Sequence, residues 1–200
     1  MNFSMATMHR TIAAVIAVAL AAPASSSEGL RSVLDAVIAK DQAGLRALLK
    51  GGADVNAAMG DGLTALHQVA LDGDTELAQL LIHAGANLKA TTRLGGYTPL
   101  LLAAKAGDAA MIEVLLAGGA EPNQATVNGT SALMFAAASG NLAAVKTLID
   151  KGADVAAQEK AMGQTALMFA AAGGRTDVVK HLIARGADLK MTTKVVDVNA

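Results

Sequence analysis

One short phrase punctuates this chain every 33 or 34 residues. Its closing half, Gly-Ala followed by an acid or Asn, stands at Gly52-Ala53-Asp54, Gly85-Ala86-Asn87, Gly119-Ala120-Glu121, Gly152-Ala153-Asp154 and Gly186-Ala187-Asp188. Its opening half is Thr64-Ala65-Leu66-His67, Thr98-Pro99-Leu100-Leu101, Ser131-Ala132-Leu133-Met134 and Thr165-Ala166-Leu167-Met168. Two independent marks that keep one period over several copies restrict the chain to a stack of one repeated unit. Each unit then buries its apolar face against its neighbours, and a single elongated domain results.

Each unit reads as a helix, a tight turn, a second helix and an extended loop. Thr64, Thr98, Ser131 and Thr165 are placed to cap the first helices, because a hydroxyl oxygen there can accept from the free N–H groups of the first turn. Pro99 follows its cap, where the missing N–H costs least. Nine residues after each cap stands a glycine, Gly73, Gly107, Gly140 or Gly174, suited to the left-handed conformation that ends a helix. Asp74, Asp108 and Asn141 are the caps expected for second helices, while Arg175 breaks the pattern and leaves that role to Thr176 or Asp177. Leu77, Leu80, Leu81; Met111, Val114, Leu115; Val145, Leu148, Ile149; and Val178, Val179, Leu182 keep helical apolar spacing and are expected in the core. An eroded first unit retains Val33, Leu34, Val37, Leu45, Leu48 and Leu49, with Arg31 in the cap's place and Lys40 in the turn glycine's. The helix pairs are expected near 31–50, 64–84, 98–117, 131–151 and 165–185.

Composition agrees with close-packed helices. Of 200 residues, 53% are hydrophobic, 16% charged and only 2% aromatic, which excludes a disordered solvating polymer. A formal net charge of -1 provides no electrostatic footprint for nucleic acid, so no nucleic-acid partner is expected. With no cysteine, the chain has no disulfide, thiol ligand or lipoprotein anchor.

Residues 1–24 read as a cleaved secretory signal: His9-Arg10, an apolar stretch over 11–22, and Ala22-Pro23-Ala24 before Ser25. The plain alternative is an apolar N-terminus. Export without cysteine fits a Gram-negative periplasm, and no stable membrane anchor is expected after cleavage. A short linker at 25–29, the array at 30–189 and a tail at 190–200 complete the organisation. The tail, ending in Val195-Val196-Asp197-Val198, either lies over the last repeat as a lid or stays mobile.

The period and phrase resemble the ankyrin repeat, from Leu30 to Leu189, and the chain is similar to exported bacterial ankyrin-repeat proteins. The resemblance implies an all-α solenoid of about five stacked helix pairs with projecting finger-like hairpins. It also implies that His67 ties neighbouring repeats by hydrogen bonds. The full Thr-Pro-Leu-His phrase is nowhere intact, so Leu101, Met134 and Met168 imply that those ties are absent in later units, with apolar packing in their place.

The resemblance further implies a non-catalytic adaptor that meets a protein, a periplasmic enzyme for instance, on the concave face of first helices and finger tips. Carried over by register, the exposed position four after each cap is Gln68, Leu102, Phe135 and Phe169. Leu71, Tyr97, Met59, Val127 and Met162 would extend this strip, and Arg93 would orient a partner from a polar finger set with Asp61, Asn128, Glu159 and Lys160. Against docking stands the alternative that Phe135 and Phe169 fold back and fill the space between alanine-rich helices.

No catalytic constellation is expected, because His67, His83 and His181 lie in different units at different positions and none has a partner at ligand spacing. No cofactor or metal is expected either. The remaining alternative is a protein that sequesters a small ligand or metal.

Overall fold

The computed structural model describes residues 32–193. The expected signal at 1–24, the linker at 25–29 and the last part of the tail, 194–200, lie outside the described residues.

Ten helices, and no strand, occur among the described residues: α1 (Val33–Ile38), α2 (Gln42–Lys50), α3 (Ala65–Asp72), α4 (Thr75–His83), α5 (Pro99–Ala106), α6 (Ala109–Ala117), α7 (Ala132–Ser139), α8 (Leu142–Asp150), α9 (Ala166–Ala172) and α10 (Thr176–Ala184). They form five pairs with the expected boundaries. The caps work as their chemistry dictates: the hydroxyls of Thr64, Thr98 and Ser131 accept from the N–H groups of His67, Leu101 and Met134. Asp74 and Asp108 each accept from the N–H three residues on, at 3.0 Å. Asn141 accepts from both Ala143 and Ala144.

Three local expectations are corrected. The cap of α1 is Ser32, whose hydroxyl accepts from the Asp35 N–H at 3.1 Å; a short oxygen acceptor does there what Arg31 has no atom to do. Thr165 holds the cap position of α9 without a side-chain cap bond. Neither Thr176 nor Asp177 caps α10, because the helix begins at Thr176 and Arg175 occupies the cap position. Arg175 instead reaches back one repeat, and its Nε donates to the Ala138 carbonyl at 3.2 Å. That carbonyl lies in the last turn of α7, where helix carbonyls carry partial negative charge. Lys40 does take the turn glycine's place, at φ 52, a left-handed conformation that costs a side-chain-bearing residue energy.

The helices form two layers. α1, α3, α5, α7 and α9 pack in sequence as an inner layer, and α4, α6, α8 and α10 as an outer one. Between them lie the wholly buried Leu66, Leu77, Leu81, Leu100, Met111, Leu115, Leu133 and Leu148, each worth about 1.5–3 kcal/mol relative to an exposed position. Short helices of six to nine residues hold only through this packing.

The loops close as hairpin fingers. Met59, Thr92, Thr126 and Glu159 each donate a backbone N–H across their own loop, to Leu63, Tyr97, Thr130 and Gln164. Neighbouring fingers are then joined by Arg93 N–H to Asp61 O at 2.7 Å, Val127 N–H to Gly95 O at 3.1 Å and Lys160 N–H to Asn128 O at 2.8 Å. This sets the four fingers in one row beside the inner helices.

Candidate docking face

The inner helices and the finger row carry the side chains expected to meet a partner. α5, α7 and α9 are adjacent, so the fourth residue after each cap recurs along one surface. At this position the chain departs from the expected uniform exposure. Gln68 is half-buried and its amide donates to the Asp72 carboxylate at 3.0 and 3.1 Å. Leu102 is buried, which corrects its assignment to the exposed strip; its side chain is shorter than the phenyl rings at the same position and stays below the surface they reach. Phe135 and Phe169 are half-buried, each packed on the core while keeping part of its surface open. They therefore neither stand free nor disappear between the helices.

Phe135 pairs with Tyr97, with ring centroids 5.9 Å apart and planes tilted by 36°. This geometry suits two aromatic quadrupoles. Tyr97 is placed by its own finger: its N–H donates to Thr92 Oγ1 at 3.1 Å and its carbonyl accepts from Thr92 N–H and from His67 Nε2. Gly95, at φ +84, leaves room for the ring, since a Cβ there would come within 2.6 Å of it. Lys105 lies 5.2 Å above the centroid of Tyr97, close enough for a cation–π attraction. A cation, a phenol and a phenyl ring thus stand in line across α5 and α7.

Met59, Leu71, Val127 and Met162 are exposed as expected, and so is Arg93. Leu94, which the sequence reading passed over, is the most open of the large apolar residues among the described ones, at 82% exposure. The polar finger set divides. Asp61 accepts from Leu63 N–H and Lys160 Nζ donates to the Val127 carbonyl at 3.0 Å. Glu159, expected at a solvated tip, is instead only 7% exposed. Its carboxylate accepts from the N–H groups of Ala161, Met162 and Gln164 at 2.7, 2.7 and 2.9 Å; it is the internal anchor of its finger, pairing three backbone donors of a tight turn.

The histidines lie apart. His67 is wholly buried, with Nδ1 beside Thr64 N and Oγ1 at 3.2 and 2.8 Å and Nε2 3.0 Å from the Tyr97 carbonyl. Burial lowers its pKa, opposed by its hydrogen bond to Tyr97 and by the charge of Asp61. His83 Nδ1 donates to the Gln79 carbonyl and faces a groove of about 710 Å³ between α4 and α6, lined also by Ile82, Glu113 and Val114. His181 has its pKa lowered by burial and by the nearby cations Arg185 and Lys146. Among the described residues no three His, Asp or Glu side chains gather as metal ligands. Nor is any described helix long and apolar enough to cross a membrane.

Two joints escaped the sequence reading. Asn56 donates to Gly85 O and accepts from Asn87 N–H at 2.7 Å, and Asn123 does the same with Gly152 and Asp154. In the intervening loop an ion pair, Lys89 with Glu121, takes their place. Their shared offset, two residues after the closing phrase, was the available signal.

The family described as Ankyrin repeats (3 copies) matches this chain over residues 33–126 and again over 100–193. Similar proteins include Potassium channel AKT3 of Oryza sativa subsp. japonica, 42% identical over 69 residues, which are 34% of this chain and 8% of that protein. Potassium channel AKT1 of Oryza sativa subsp. indica is 38% identical over 79 residues, 40% of this chain and again 8% of the channel. The chain thus spans a small part of the length of these relatives.

Proposed function

This chain belongs to the ankyrin-repeat family, whose arrays are typically non-catalytic modules for protein–protein interaction, and on that premise we propose that it is an adaptor, exported to the periplasm, that docks a partner protein on its concave face. The observation that carries this reading is the group of Lys105 and Phe135 on the inner helices and Tyr97 on the finger before α5, with half-open Phe169 on the next inner helix and exposed Met59, Leu71, Leu94, Val127 and Met162. Large exposed apolar patches mark interaction sites on soluble proteins, and aromatic residues are enriched where interfaces are anchored. The finger row and the packed rings are ordered before any encounter, so docking loses little conformational entropy. A periplasmic enzyme, held or activated on this face, is the partner class we propose.

The test is crosslinking in living cells with a photoreactive residue at position 135 or 169, and a control at Gln79 on the outer layer. One recurrent protein joined at 135 and 169, and lost in the Phe135→Ala, Phe169→Ala variant while helical content persists, is the expected result. Crosslinks that follow position 79 instead would remove the docking face. Export is checked separately: the mature protein should begin near Ser25, and a chain starting at Met1 in the cytosol would overturn it.

A further inference from the structure

The docking face is electrically lopsided. α5, α7 and α9 contain no acid at all, and their sole charged residue is Lys105. The fingers at 91–97, 124–130 and 157–164 add Arg93, Lys160 and a single acid, Glu159, whose carboxylate is buried among its own finger's amides. Arg175 adds a further cation at the end of the helix that bears Phe135. Asp108, in the turn after α5, is half-buried and holds the first turn of α6. By contrast the second repeat presents exposed Asp61 and Asp72. The aromatic part of the face therefore exposes more cations than carboxylates, with Lys105 resting on a ring, Arg175 on a carbonyl, and exposed Asp61, whose carbonyl accepts from Arg93 N–H, at its edge.

Resting on the docking reading above, we infer that the partner contributes an acidic segment with apolar side chains, the apolar groups seated on Tyr97, Phe135 and Phe169 and the carboxylates met by Arg93, Lys105 and Arg175. Lys105 and Arg175, parked on neutral groups, are available to a carboxylate without first breaking an ion pair. Complementary charge of this sort governs partner choice and encounter rate more than final affinity.

The probes are two labelled helical peptides of equal length with leucines on one face, one carrying glutamates and the other lysines on the opposite face. Wild-type protein is expected to bind the glutamate peptide about tenfold more tightly at low salt, with the difference shrinking as salt screens it. Arg93→Gln, Lys105→Gln and Arg175→Gln combined should bring the two affinities together, whereas Phe135→Ala should weaken both peptides alike; thermal unfolding of each variant checks that the stack is intact. Equal affinities in the wild type, a preference that survives removal of the three charges, or no binding of either peptide would each overturn the inference. If neither peptide binds while position 135 still crosslinks a partner in cells, the acidic segment is wrong and the docking face stands; loss of both removes the face itself.

Discussion

The junction between the second and third repeats and the junction between the third and fourth do the same work with different chemistry. At the first, the buried imidazole of His67 accepts from Thr64 N–H through Nδ1 and donates through Nε2 to the carbonyl of Tyr97, thirty residues on. At the second the equivalent position holds Leu101, and at the junction after it Met134, both wholly buried. Met134 even offers its thioether sulfur, 3.5 Å from Ser131 N, to the cap N–H that His67 satisfies with nitrogen. A directional polar tie can thus be replaced by apolar filling, provided that the backbone groups it served find other acceptors. The difference also reaches the docking face, because the residue that His67 holds by its carbonyl is Tyr97, whose ring pairs with Phe135.

The strongest way to break this comparison is to impose the later chemistry on the earlier junction. His67→Leu keeps volume but takes the acceptor from Thr64 N–H and one of two donors from the Tyr97 carbonyl, and is expected to cost about 1–3 kcal/mol. Denaturant unfolding measures it, and a variant as stable as the wild type would mean that His67 is no more than filler.

Acid should expose the same contrast. Burial holds the His67 pKa below its usual 6.5, so between the folded and unfolded pKa values the unfolded chain binds more protons. Stability is then full above about pH 6.5 and falls as pH drops through that window, a smaller loss than the substitution produces. His181 is shifted in the same direction and adds to the slope. His67→Leu should flatten the midpoint-against-pH profile, and the remainder should go with His181→Gln. An unchanged slope in the double variant would refute the assignment.

The smallest expected effect separates two caps that look alike. Thr98 accepts from Leu101 N–H whereas Thr165 makes no cap bond. Thr98→Ala should cost about 1 kcal/mol. Thr165→Ala should cost clearly less, and equal shifts in thermal midpoint would show that the two hydroxyls act alike.

Much of the stack was legible in residue order. Caps, turn glycines and the apolar spacing of second helices act within a few residues of themselves, and Thr64, Gly73 and Asp74 behave as those local rules require. The candidate strip was legible only as a register. Phe135 and Phe169 share a position, but the actual ring partner of Phe135 is Tyr97 of the preceding finger, and Leu102, at the same position, is sealed. Asn56 and Asn123 were missed because their partners lie about thirty residues away, beyond any helical period.

By itself, the order of residues determined the period, the five helix pairs and the side of each second helix that meets the core, because those depend on backbone hydrogen bonding and on apolar spacing inside one unit. Only the stacked structure decided that Arg175 bonds backward to Ala138, that Glu159 turns inward, and that a lysine and two rings line up across α5 and α7. Each of these depends on how far a long side chain reaches into the next layer and on which groups it finds unpaired there, and that is a property of neighbours in space.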